Sequence, residues 1–152
     1  MPQYRTHTTC NVFFLPLILG ALVYFFHSPW PYLVVFGSSF LYGTYFMNPD
    51  MDMAGQIKLF SWKGLFTLPF RVYALFFHHR GISHRFLLGT LTRIIFLAGI
   101  IFLFLFLFHK VTFHTDTFVH FITVYKTPLI YLFLGLLTAD TCHLLLDLVK
   151  SH

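Results

Sequence analysis

From Phe86 to Phe108 the chain carries a single charged residue, Arg93. A helix rises about 1.5 Å per residue, so a run of this length reaches across the roughly 30 Å of hydrocarbon in a bilayer. Within hydrocarbon, every backbone polar group must be satisfied inside the chain, which leaves the helix as the natural form for such a segment. Three further stretches are apolar enough to enter a membrane: Val12 to Phe26, Tyr32 to Met47, and Pro128 to about Val149. The first two are short in strict form and must borrow flanking residues, tilt, or pair as a re-entrant hairpin through His27-Ser28-Pro29-Trp30-Pro31. Only 10% of the 152 residues are charged and 57% are hydrophobic, far from the quarter share of charge usual in soluble domains. The expected fold class is therefore all-α, an integral membrane helical bundle of about four spans. Ile57 to Phe77 mixes Lys58, Lys63 and Arg71 with aromatic side chains and suits an interfacial helix between spans two and three. The chain has no linker-type segment and no internal repeat, so residues 1–152 are read as a single membrane-embedded domain.

Charge sets the orientation. If all four spans cross, Arg5, Lys58, Lys63, Arg71, Arg80, Arg85 and Lys150 fall on one side, against Lys110 and Lys126 on the other. The rich side is expected to be cytoplasmic, and the loop from His109 to Thr127 faces the opposite compartment. A net charge of +5 placed outside the apolar runs points to anionic lipid headgroups as partner, not nucleic acid, for which no base-reading motif exists. Cys10 and Cys142 form no metal-finger spacing and are expected to be reduced thiols. No cleavage site follows the first run, which is read as an uncleaved span.

The acidic residues narrow the chemistry. There are five aspartates and no glutamate, and Asp50, Asp52, Asp140 and Asp147 sit at the ends of apolar stretches close to histidines. A carboxylate beside hydrocarbon is costly and takes a partner, and carboxylate with imidazole is a donor set for divalent metal. Polar groups occur at four separated points: His7; Asn48-Pro49-Asp50-Met51-Asp52; His78-His79-Arg80-Gly81-Ile82-Ser83-His84; and Asp140-Thr141-Cys142-His143 with Asp147. An up-down-up-down bundle carries the start of spans one and three and the end of spans two and four to the same face. His143 and Asp147 are one helical turn apart, and Asp140 lies three before His143 on the same stripe. Pro49 disfavours continuing the helix through Asn48, and Ser83 is a candidate N-cap for span three, with His84 on its first turn. Two carboxylates from one loop, two histidines from another and the helical His/Asp pair give six ligands, seven with His7. That is enough for two bridged cations able to activate water and clamp phosphoryl or acyl oxygen.

The order Thr6-His7, Pro49-Asp50-x-Asp52, His79-Arg80-x-x-Ser83-His84 and His143-x-x-x-Asp147 resembles a bacterial family of uncharacterised metal-binding integral membrane proteins. More distantly it is similar to the inner-membrane metal-dependent hydrolases with PD-x-D, HRG-x-(S/T)-H and H-x-x-x-D signatures. The resemblance implies His7, Asp50, Asp52, His79, His84, His143 and Asp147 as metal ligands, with Arg80 and Ser83 in support. It also implies a bacterial inner-membrane location.

The expected function is metal-dependent hydrolysis of a phospholipid or other membrane-associated ester, a phosphoester first, at the cytoplasmic mouth of the bundle. Asp140 is the expected base or supporting carboxylate, and Arg80 the group that stabilises developing negative charge. Mixed nitrogen and oxygen donors admit zinc, manganese, iron, nickel or magnesium, as one ion or two. The alternative is a non-catalytic metal-binding membrane protein with a structural or regulatory role. Transport is disfavoured, because the polar groups gather at one end and not near the midplane of several helices.

Overall fold

The computed structural model describes residues 2–49, 60–76, 85–108 and 114–150, and every regular element among them is an α-helix. In chain order these are α1 (Pro2–Phe26), α2 (Trp30–Phe46), α3 (Trp62–Phe66), α4 (Leu68–Phe76), α5 (Leu88–Leu107), α6 (Thr115–Val124) and α7 (Lys126–Lys150). Their contacts group into two compact units: Met1–Pro49 with Ile130–His152, and Asp50–Leu129. Among the described residues, three helices are long and apolar enough to cross a membrane, over Thr6–Phe26, Leu88–Leu107 and Lys126–Val149. At 17 residues, α2 is about 25 Å long and falls short of them.

In the first unit, α1 and α2 form a hairpin. Its turn places His27 at φ 47°, a left-handed conformation that histidine accepts more readily than branched residues do. His27 N–H then returns to the Val23 carbonyl at 3.1 Å and Ser28 N–H to Leu22 at 3.3 Å, so the end of α1 is capped by its own backbone. Pro29 is extended and proline occupies the first turn of α2, where no N–H is needed. The hairpin turn is tied to α7 by a 2.7 Å hydrogen bond between the Ser28 and Tyr131 hydroxyls, with the Tyr32 and Tyr131 rings stacked at 5.2 Å.

α2 and α7 meet along a seam of small residues. A Cβ added to Gly135 would collide with Ser39 Oγ and the Phe36 carbonyl, and one added to Gly43 would lie 3.1 Å from the Ala139 Cβ. Ser39 and Gly43 are four apart on α2, as Gly135 and Ala139 are on α7, so each helix offers one narrow stripe for backbone approach. Such stripes drive helix pairing by close packing where the surroundings are as apolar as the side chains. Beside the seam, Phe36, Phe40 and Ala139 are buried, with Leu15, Ile18, Leu19, Leu22, Tyr131 and Cys142 packed on them. The opposite faces carry exposed Phe13, Leu17, Tyr24 and Phe25.

In the second unit, the Ser61 hydroxyl accepts the Gly64 N–H at 3.0 Å and caps α3. The chain breaks at Thr67 and restarts as α4, with Pro69 in the first turn where it is tolerated. Phe70 and Tyr73 are buried. The Tyr73 ring packs edge-on against Phe96 of α5 at 5.3 Å, and its hydroxyl lies 3.1 Å from Thr92 Oγ1. The single interfacial helix expected between spans two and three is thus two short helices. The third apolar helix, α5, begins at Leu88 behind Leu87 at φ 62° with no side-chain cap, and Ser83, the expected N-cap, lies outside the described residues. One further expectation is corrected. The loop expected from His109 to Thr127 contains α6, an amphipathic helix with Asp116 in its first turn, where a carboxylate complements the helix dipole.

Candidate metal centre

α1 runs ten residues further toward the N-terminus than the apolar count indicates, and His7 lies inside it. This makes His7, Asn11, Leu15, Ile18 and Leu22 one stripe at helical spacing, polar at the start and apolar beyond. On α7 the corresponding stripe reads Gly135, Ala139, His143 and Asp147, small through the seam and polar toward the C-terminus. Since α1 begins where α7 ends, the two polar segments meet.

Their meeting has defined geometry. His7 Nε2 lies 3.2 Å from Asp147 Oδ1, and His143 Nε2 lies 3.6 Å from Asp147 Oδ2. The two imidazoles stack with centroids 4.3 Å apart and planes 24° from parallel, both presenting Nε2 to one carboxylate. His7 and His143 are 3% and 2% exposed, while the Asp147 side chain is 42% exposed, so the cluster has a buried imidazole wall and a carboxylate at its rim.

The spacing distinguishes two explanations. A direct hydrogen bond spans about 2.7–3.2 Å, which leaves the 3.6 Å contact too long and the 3.2 Å contact at the limit. Ligands held about 2.0–2.2 Å from one tetrahedral ion lie about 3.3–3.5 Å from each other, and both contacts fall close to that distance. The three donor atoms all lie within 4.8 Å of one another. Two imidazoles and one carboxylate also form a donor set suited to zinc and to divalent iron. The residues present therefore fit a divalent cation.

Asn11 was not singled out from sequence and belongs to this end of the unit. It is 1% exposed, and its Nδ2 donates to Thr44 Oγ1 and to the Ala139 carbonyl, both at 3.1 Å. One amide thereby ties α1 to α2 and α7 one turn below His7. Its Oδ1 is buried and makes no hydrogen bond among the described residues. A polar side chain four residues after His7, at the edge of an apolar run, was the available signal.

Of the residues expected at the site, His7, His143 and Asp147 are brought together. Asp140 is buried on α7, at 4% exposure, and is not among the three donors that share one ligand sphere. Asp50, Asp52, His79, Arg80, Ser83 and His84 lie outside the described residues.

A helical chain with a histidine–carboxylate centre defines a metal-binding protein as a class, and comparison with known proteins agrees. The chain belongs to the family described as uncharacterized metal-binding protein (DUF2227), whose sequence profile matches residues 2–152. An uncharacterized protein of Aquifex aeolicus (strain VF5) is 34% identical to it over 134 residues, covering 81% of this chain and 94% of the relative. No solved structure matches the chain.

Proposed function

We propose that this protein is a single-domain membrane-embedded hydrolase of about four spans that uses its histidine–aspartate metal centre, on the cytoplasmic side of a bacterial inner membrane, to cleave a phospholipid or other membrane-associated ester. The observation that carries this reading is the placement of His7, His143 and Asp147 at ion-sharing distances on two helices long and apolar enough to span a bilayer. Ionisable groups in such helices are costly and mark functional sites. The half-exposed Asp147 gives a substrate a way in, since a ligand at the rim is reachable from outside the bundle.

A divalent cation held by these residues supplies Lewis acidity toward a phosphoryl or acyl oxygen. The chain's own groups do the rest. His7 and His143, locked by packing and stacked on each other, fix the direction of approach. Asp140, one turn from His143, is the proton acceptor in this reading, and Arg80 holds developing negative charge on the substrate. Asp50, Asp52, His79 and His84 complete the ligand set and allow a second ion. The likeness of the motifs to those of membrane hydrolases and the basic residues bordering them support a phosphoester as substrate.

The test is elemental analysis of detergent-purified protein beside a His143→Ala/Asp147→Ala variant, followed by a lipid and phosphoester hydrolysis screen. Equal metal in both proteins rejects the centre. Metal lost in the variant together with turnover by the wild type alone supports hydrolysis. Bound metal with no turnover across lipid esters moves the reading to a structural or regulatory ion.

A further inference from the structure

Two sets of contacts fix how the helices of the first unit are aligned. Asn11 of α1 donates to Thr44 Oγ1 of α2 and to the Ala139 carbonyl of α7, both at 3.1 Å, so these three residues share a level. One turn from that level toward the metal centre, α1 reaches His7, α7 reaches His143, and the chain leaving α2 reaches Asn48. The seam between α2 and α7 gives the same register independently. Gly135 lies against Ser39 and Gly43 against Ala139, so the next step of four brings Met47 level with His143 and Asn48 directly after it. Helix α2 therefore ends at the level of the two imidazoles, and Asn48 is the polar residue it delivers there.

Asn48 is 3% exposed. Its Nδ2 donates to the Thr44 carbonyl at 3.2 Å, one of the last carbonyls of α2, where a helix leaves acceptors without a partner of its own. A carbonyl can only accept, so this contact fixes which end of the amide is nitrogen and which is oxygen. Capping the helix accounts for Nδ2 and leaves Oδ1 unexplained. That oxygen is buried and makes no hydrogen bond among the described residues. Thr8 Oγ1, on the residue after His7, is buried in the same condition. A buried carbonyl oxygen with no donor is costly and calls for a cation or a donor beside it. The level that holds it is the one where two imidazoles and a carboxylate already assemble a ligand sphere.

We infer that Asn48 is a further ligand of the metal centre, its Oδ1 supplying a neutral oxygen from α2 to the ion held by His7, His143 and Asp147. The inference deepens the proposed function and rests on its metal centre. Asn48 with these three residues fills a tetrahedral ion such as zinc and leaves no position for an ester oxygen, whereas ions of octahedral preference keep positions open. An amide oxygen is also a harder donor than imidazole, and the mixed set suits manganese(II) or iron(II). The ion that meets an ester here is therefore six-coordinate manganese(II) or iron(II), not closed tetrahedral zinc.

The experiment separates the two ends of the amide. Asn48→Leu removes both, while Asn48→Asp keeps an oxygen at Oδ1 and removes the nitrogen that caps Thr44. Detergent-purified wild type and both variants are titrated with manganese(II) and with zinc against a chromophoric chelator, and the visible spectrum of each is recorded with cobalt(II). Manganese(II) affinity is expected to fall by about tenfold or more in Asn48→Leu, with a smaller change for zinc, and to equal or exceed wild type in Asn48→Asp. Cobalt(II) absorption, which intensifies as coordination falls to four, is expected to rise in Asn48→Leu and not in Asn48→Asp. A role confined to capping gives the reverse, because Asn48→Asp has lost the donor to Thr44. Manganese(II) affinity as low in Asn48→Asp as in Asn48→Leu overturns the inference, as does one cobalt(II) spectrum common to all three proteins. Where Asn48→Leu does not fold, Asn48→Asp decides alone: manganese(II) affinity at or above wild type supports the ligand, and a lower one overturns it. Binding that depends on Asn48 in a protein that turns over no lipid ester keeps the ligand and rejects the hydrolase. Turnover that survives Asn48→Leu with unchanged metal affinity keeps the hydrolase and rejects the ligand.

Discussion

Buried polar side chains occur in both compact units, and they are satisfied in different ways. Between α4 and α5, the Tyr73 hydroxyl meets Thr92 Oγ1, Thr92 turns back to the Gly89 carbonyl at 3.0 Å, and Arg93 Nε bonds the same carbonyl at 2.9 Å. All three lie within hydrogen-bond range, and the last two are short in sequence and use the helix backbone as acceptor. Between α1 and α7, two imidazoles converge from opposite ends of the chain on one carboxylate, at 3.2 Å and at 3.6 Å, the first at the edge of hydrogen-bond range and the second beyond it. The difference teaches how to sort polar groups on apolar helices. A group satisfied by its own turn stabilises a helix, whereas donors assembled over long sequence separation and held slightly too far apart leave room for something else.

The strongest test of this distinction removes the ligands. His143→Ala/Asp147→Ala and His7→Ala are expected to lower metal affinity by about 100-fold or more, measured by competition with a chromophoric chelator, because each removes a direct donor. Retention of wild-type affinity would make the α1–α7 cluster no different in kind from the α4–α5 one. Next in size is Gly135→Ala, whose added methyl collides with Ser39 and Phe36. We expect a loss of about 3 kcal/mol in denaturant titrations, at the upper end for overpacking, with weaker metal binding as α7 is pushed from its register. Asn11→Leu deletes the amide that joins three helices. It is expected to cost about 1–3 kcal/mol and to weaken metal binding less than loss of a ligand does, read by the same two titrations. Thr92→Val should be smallest, at about 1 kcal/mol with metal content unchanged. A metal defect in Thr92→Val would erase the comparison.

Much of the helical layout was legible in the sequence because it follows from hydrophobic run length and helical spacing. Apolar runs located α5 and α7 to within about two residues, and four-residue spacing put His143 and Asp147 on one face. The up-and-down count also brought His7 to the same end. What escaped was set by tertiary contact. Helix α1 continues through Arg5-Thr6-His7-Thr8-Thr9, a stretch whose polarity marks the edge of an apolar run but does not stop a helix. Asn11 reads as an ordinary interruption until Thr44 and the Ala139 carbonyl are placed around it. α5 starts at Leu88, two residues inside the apolar run, behind Leu87 with no side-chain cap, so no capping residue in the sequence marks its start. α6 was passed over because its amphipathic pattern is short and lies within the His109 to Thr127 segment read as loop.

Gly135, Ala139, His143 and Asp147 recur at four-residue intervals on a single helix, so steric fit and ligand supply are governed by one axial coordinate. Sliding α7 by one turn, about 5.4 Å, would break both at once. By thermodynamic linkage, an ion that grips the far end of this stripe must also resist separation of the glycine contact two turns away. Chelation of an ion held there should therefore loosen the packing of α2 on α7 well beyond His143 and Asp147.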